Sequence, residues 1–141
     1  MGIKVHALTD GIVQSISPLY SGDYTIHVIK EGNSKYTYEH EHVINVLVEE
    51  GDLVTAGQEI VEVSDYNNWC ADDGYGIFDI GILTSDVNGN PVHHCPFMYI
   101  NESVRQDYYD KILDLYKSWE KYTGNYSLYD EEEYCIPGCV I

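Results

Sequence analysis

Hydrophobic and polar positions alternate in short runs through the first hundred or so residues, with Gly, Asn and Asp between them. A period of two over roughly four to eight residues is the pattern of a strand with one buried face. Val5 to Ile16 carries such a run on either side of Asp10-Gly11, and Thr25 to Ile29 and Tyr36 to His40 read as strands divided by the turn Glu31-Gly32-Asn33-Ser34. Tyr36, Tyr38 and His40 alternate with Thr37 and Glu39, which sends one row inward and the other outward. Val43 to Val48, Leu53-Val54, Ile60 to Val63, Ile77 to Leu83 and Val92 to Ile100 supply further runs, with Gly51, Gly57, Gly74 and Asn88-Gly89 between them. Short strands at this spacing predict a mainly β chain built as a compact antiparallel sheet or barrel.

After Asn101 the period changes. Val104, Tyr108, Ile112, Leu115, Trp119 and Tyr122 recur at steps of three or four, which predicts an amphipathic helix from a capping box at Ser103-Val-Arg-Gln106 to Gly124. Its stripe is expected to dock on the sheet as core; the alternative is a partner-binding helix. The tail carries the acidic run Asp130-Glu-Glu-Glu133, read as a solvated face, and the loop Cys135-Ile-Pro-Gly-Cys139. With 141 residues there is room for one core, so the expected organisation is a β domain over 1–101, the helix 102–124 packed on it and a tail over 125–141.

Charge narrows the partners. The formal net charge is −17, from 24 Asp and Glu against 7 Lys and Arg, and no Lys or Arg lies between Lys35 and Arg105. Phosphate neutralisation needs clustered cations, so nucleic acid and anionic lipid are excluded as expected partners, while basic partners or metal cations are favoured. No run approaches the ~18 apolar residues of a membrane span, and Met-Gly-Ile-Lys-Val does not open a signal peptide, so no membrane insertion is expected. The cysteines Cys70, Cys95, Cys135 and Cys139 fit no standard zinc spacing. A disulfide is the leading expectation, with Cys135 to Cys139 the first pair because the Pro-Gly turn draws them together; free thiols remain open. A bridge would point to an extracytoplasmic or virion setting.

The most specific stretch is Val48-Glu-Glu-Gly51-Asp52-Leu-Val54-Thr-Ala-Gly57-Gln58-Glu-Ile60. Its physics is two tight turns around a short buried strand, with Gly51 and Gly57 at positive φ and Val54 and Ile60 inward. It resembles a segment shared by biotinyl or lipoyl carrier domains and by lysostaphin-like zinc metallopeptidases. A carrier needs an exposed lysine on a hairpin, and the middle of this chain has none. The peptidase resemblance runs further, from Val5-His-Ala7 and Asp10-Gly11-Ile-Val13, through Thr25 to Gly32 and Tyr36 to Val43, to a closing hairpin and last strand over Asn88 to Tyr99. It implies the barrel-sandwich-like sheet of that family, the duplicated hybrid motif, carrying in addition one C-terminal helix.

The resemblance also implies what is lacking. The family holds zinc with a His-x3-Asp ahead of its first strand and with the second His of a His-x-His, leaving a position for the attacking water. The His-x3-Asp has no counterpart here, and Tyr75-Gly76-Ile77 stands where the His-x-His would be. His42 aligns with a histidine that stabilises the transition state in the family, and alone it cannot polarise an amide. A relocated metal site would have to draw on His40, His42, His6, Asp10, His93 and His94. His40 and His42 are placed on one side of a strand in that reading. The leading expectation is therefore a non-catalytic peptidase-like domain without resident cofactor, binding a protein partner or cell-wall peptide in a groove lined by Tyr38, His40, His42 and Tyr75. The alternatives are a structural component of a phage tail or other assembly, as homo-oligomer or larger array, and a metallohydrolase using zinc at the relocated site.

Overall fold

The computed structural model describes residues 2–66 and 76–129, and it divides into two units, Met1–His94 and Cys95–Ile141. In the first unit the alternating runs form β1 (Lys4–His6), β2 (Gly11–Pro18), β3 (Tyr24–Lys30), β4 (Asn33–Ile44), β5 (Leu53–Val54), β6 (Glu59–Val63), β7 (Asp79–Ser85) and β8 (Pro91–His94). All pair antiparallel in one sheet, in the order β1-β6-β4-β3-β2-β5, with β7 and then β8 added alongside β4.

That order forces the sheet to curl. β5 and β6 stand near opposite ends of the path, yet the turn 55–58 is all that joins them, so the two ends must approach. The turn clasps both ends: Gly57 N donates to Ala7 O, Ala7 N donates to Gln58 O, and Ala56 N donates to the Asp10 carboxylate. Gly51 and Gly57 have φ of 95° and 83°, values that any Cβ would strain, while Val54 and Ile60 are buried as their alternation requires.

Inside the curl lie Val5, Ala7, Val13, Ile26, Val28, Val43, Val48, Val54, Ile60 and Val61, with Tyr38 and Phe78 packed against them. Each of the valine and isoleucine side chains contributes about 1.5–3 kcal/mol by leaving water. Strand structure ends at Ile44, before the end of the apolar run, because Asn45 takes φ of 50°; Val46 and Val48 still reach the core from a loop.

The second unit corrects three sequence expectations. Pro96–Tyr99 is a 3-10 turn and not the end of a strand, since Pro96 has no amide hydrogen for a ladder and its fixed φ suits a helical first position. The helix, α1 (Glu102–Thr123), is capped by Asn101, whose Oδ1 accepts from Ser103 N, and not by a box starting at Ser103. It ends at Gly124 with φ of 71°, as the sequence predicts. Within the unit its sheltered stripe runs through Arg105, Tyr109, Ile112, Leu113, Tyr116 and Glu120. Phe97 covers Tyr109, Tyr129 stacks on Tyr116 at 4.2 Å, and the Glu120 carboxylate accepts from Leu128 N and Tyr129 N. Val104, Tyr108, Leu115, Trp119 and Tyr122 are exposed, about one residue of helical rotation from that stripe.

Candidate functional site

A register slip on β4 creates the most specialised corner of the sheet. Thr25 pairs with Glu41 and Tyr24 with Val43, so His42 has no partner across the β3–β4 ladder. Its φ is 58°, uncommon for a residue with a side chain. A bulge of this kind inserts one residue and re-aims the side chains around it. At the same point β4 changes neighbours, pairing with β7 up to Glu41 and with β6 from Val43, and Ser64 N donates to His42 O at 2.9 Å. His40 and His42 therefore do not share a face. His40 points into the core and Val43 resumes the inward pattern, while His42 is swung out of it.

His42 Nδ1 meets Asp23 Oδ2 at 2.9 Å. Asp23 is 2% exposed. Burial alone would raise its carboxyl, but hydrogen bonds from Ser21, Ser64 and His42 outweigh that and hold it below the usual carboxylate range. The Tyr66 ring stacks on the His42 imidazole at 5.4 Å and meets Tyr20 edge-on. Ile77 N donates to Tyr66 O, and a Cβ on Gly76 would collide with the Ser64 carbonyl. Gly76 and Ile77 thus lie beside this corner. A carboxylate on Nδ1 fixes the orientation of the ring.

From this corner a polar face runs across β2, β3, β4 and β7. Thr25, Glu41 and Asp79 are direct cross-strand partners, and so are Ser15, His27, Glu39 and Gly81 in the next row. In that second row Ser15 Oγ lies 3.2 Å from His27 Nδ1, and His27 Nε2 lies 3.0 Å from Glu39 Oε1. The His27 hydrogen bond holds the Glu39 carboxyl low against its burial. Glu41 is opposite in sense: burial first, then the charges of Glu39, Asp79 and Asp23, push its carboxyl up. Beyond lies a cleft of about 170 Å³ lined by His27, Lys35, Thr37, Leu83, Ser85 and Pro91.

The relocated metal set does not assemble. Among the described residues no group of three or more His, Cys, Asp or Glu could hold a metal ion. His6 is exposed on β1, Asp10 is occupied as acceptor for Ala56 N, His93 is exposed on β8, and His94 Nε2 is 2.8 Å from Thr84 Oγ1. The described donors thus do not fit the zinc site that the resemblance implies. The expected groove is corrected too. His40 is fully buried, its Nε2 accepting from Leu8 N at 3.3 Å and its Nδ1 without a hydrogen-bond partner, and Tyr38 packs on the core. Burial holds the His40 imidazole below the usual histidine range. Of the three expected lining residues that the structure describes, His42 alone faces the corner; Tyr75 lies outside the described residues. Cys95 is disulfide-bonded, and Cys70, Cys135 and Cys139 also lie outside them.

Sequence reasoning missed Asp23, Ser21, Ser64 and Tyr66. The signal for the bulge was present, because the inward row Tyr36, Tyr38, His40 continues at Val43 and not at position 42. The signal for Asp23 was not, since it comes to His42 only through pairing.

No family model and no curated protein matches the chain. Two solved structures share its fold. One is described as the NMR solution structure of lysostaphin, with TM-score 0.55 and 19% identity over 70% of this chain. The other is described as the identification and structural characterization of LytU, with TM-score 0.54 and 22% identity over 68% of this chain. The matches span 38% and 64% of those two chains. The chain is a curled antiparallel sheet with one C-terminal helix, in the fold of the lysostaphin-like peptidases.

Proposed function

We propose that this is a peptidase-like domain that binds a protein partner or cell-wall peptide along the polar face without cleaving it. The observation that carries the reading is the pairing of a built corner with an incomplete donor set. Asp23 orients His42, and Tyr66 covers it, while among the described residues no group of three or more His, Cys, Asp or Glu could hold a metal ion. Without a metal to polarise the amide, one oriented histidine supplies a hydrogen-bonding group and not hydrolysis. Tyr20 and Tyr66 add apolar area with polar tips beside it, the composition of a peptide-binding surface. The Cys95 disulfide fits an extracytoplasmic or virion setting.

The test is sedimentation with purified cell walls in buffer containing added zinc, with released amino groups measured in the supernatant. Co-sedimentation without release is expected; release above a no-protein control overturns the non-catalytic part. An assembly component is the second reading, favoured by exposed Val104, Tyr108, Leu115 and Trp119 on α1, and a stable oligomer by sizing would support it.

A further inference from the structure

Ser15, His27 and Glu39 form a hydrogen-bonded series across β2, β3 and β4: Ser15 Oγ lies 3.2 Å from His27 Nδ1, and His27 Nε2 lies 3.0 Å from Glu39 Oε1. The ladder holds all three, because Ser15 is the direct partner of His27 and His27 of Glu39. A slip in β2 puts the serine there. Val13 pairs with Val28 and Ser15 with His27, so Gln14 is the inserted residue of a bulge. In an unbroken ladder Gln14 would face His27, and Ser15 would follow buried Val13 inward. The inward pattern resumes at Ile16, which packs against the core.

The polarity of the series follows from its far end. A carboxylate only accepts, so His27 Nε2 carries a proton, and in the neutral ring Nδ1 is left as an acceptor. The Ser15 hydroxyl then donates to it. The His27 bond holds Glu39 below the usual carboxylate range, which keeps that end anionic. A hydroxyl on a base that a third group orients is the arrangement of an activated nucleophile. Ser15 and the His27 ring are partly exposed, so a substrate can reach them. The next amide in the chain suits the same chemistry: Ile16 N donates to Glu50 Oε1 at 2.9 Å, an anionic oxygen on an exposed side chain that a substrate oxygen can displace. An amide following the nucleophile is where a developing oxyanion finds a donor.

We infer that Ser15 is a nucleophile toward carboxylic esters, with His27 as its base and Glu39 as the group that positions His27. Ser15 Oγ bonds to the ester carbonyl carbon as its proton passes to His27 Nδ1, and the carbonyl oxygen takes the negative charge. When the carbonyl re-forms, the bond to the alcohol oxygen breaks and that oxygen takes the proton from His27, leaving an acyl-serine and a free alcohol. Water, giving its proton to His27, then releases the acid. Esters are the substrate class because an alcohol oxygen leaves more readily than an amide nitrogen, and Ile16 supplies a single oxyanion donor. The inference stands apart from the peptide-binding reading, and an inert Ser15 would leave that reading as it is.

The test is incubation of the full chain with a fluorophosphonate ester, which gives a stable phosphonyl-serine with loss of fluoride, and location of the label by peptide mapping. Ser17, exposed two residues further along β2, is the internal reference. Ser15 is expected to label at least about a hundredfold faster than Ser17, the lower end of what a positioned base contributes. His27→Gln should remove that advantage, and Ser17→Ala should leave it. Glu39→Gln should slow labelling and move its half-maximal rate to lower pH, because the imidazolium loses its carboxylate. The other titratable groups around the pair, Lys35, His40, Glu41 and His93, are unchanged in that variant. A purely structural Glu39 would change the rate and leave that pH in place, which overturns its positioning role. Hydrolysis of p-nitrophenyl acetate should be lost in Ser15→Ala. Equal labelling of Ser15 and Ser17, an advantage that survives His27→Gln, or equal ester hydrolysis by the wild type and Ser15→Ala overturns the inference. The comparison of Ser15 with Ser17 is made within the wild-type chain, so it decides even where a variant fails to fold.

Discussion

His42 Nδ1 and Asp23 Oδ2 are 2.9 Å apart although 19 residues separate them, and a bulge in the middle strand of the sheet brings them together. Bulge, backbone and partner depend on one another. The φ of 58° at His42 costs on the order of 1–3 kcal/mol, and the hydrogen bonds around Asp23 offset it.

Replacing Asp23 by Asn should therefore destabilise the sheet by about 1–3 kcal/mol at neutral pH, measured by urea unfolding. The sign of the pH dependence follows from the lowered carboxyl. A folded-state value below the unfolded one gives stability that is complete above about pH 4 and is lost as pH falls through the folded value. Asp23→Asn should lack that acid-limb loss, and an unchanged limb would show that Asp23 does not report on folding.

Glu41 predicts the reverse. Its carboxyl is raised in the folded state, so its ionisation works against folding at neutral pH and ceases to do so as pH falls through the folded value. Glu41→Gln should raise stability at pH 7 by a few tenths to about 1 kcal/mol, the scale of like charges facing across a sheet, and change nothing near pH 3. A destabilised Glu41→Gln would mean that the carboxylate has a structural partner.

His40 was legible in part. Its alternation put it in one row with Tyr38, but nothing in the sequence marked that row as the inward one, and His40 was expected in a groove and not in the core where it lies. Since the buried ring disfavours its proton, it contributes stability above about pH 6.5 that declines as pH falls through its lower folded value. Histidine NMR titration should show one ring that stays neutral below the others; a His40 resonance titrating at the ordinary value contradicts this.

The sheet was readable because its signals are local: turn glycines at 51 and 57, alternation, and apolar runs at strand spacing. The helix was readable in length but not in its sheltered stripe, because the residues that cover it, Phe97 and Tyr129, lie beyond its ends. The site was hardly readable, since Thr25, Glu41 and Asp79 meet only through pairing of β3, β4 and β7.

Reduction should matter to stability. The disulfide at Cys95 predicts that excess thiol lowers the unfolding free energy by about 2–4 kcal/mol, and an unchanged melting temperature after verified reduction would remove the bridge from the account.

The most direct measurement is an amide NMR titration of the labelled chain with a soluble cell-wall stem peptide, followed over a day with zinc present. The account predicts saturable shifts at Asp23, Thr25, Glu41, His42 and Asp79, with the peptide intact at the end. Cleavage of the peptide, or shifts absent from this face, would contradict it.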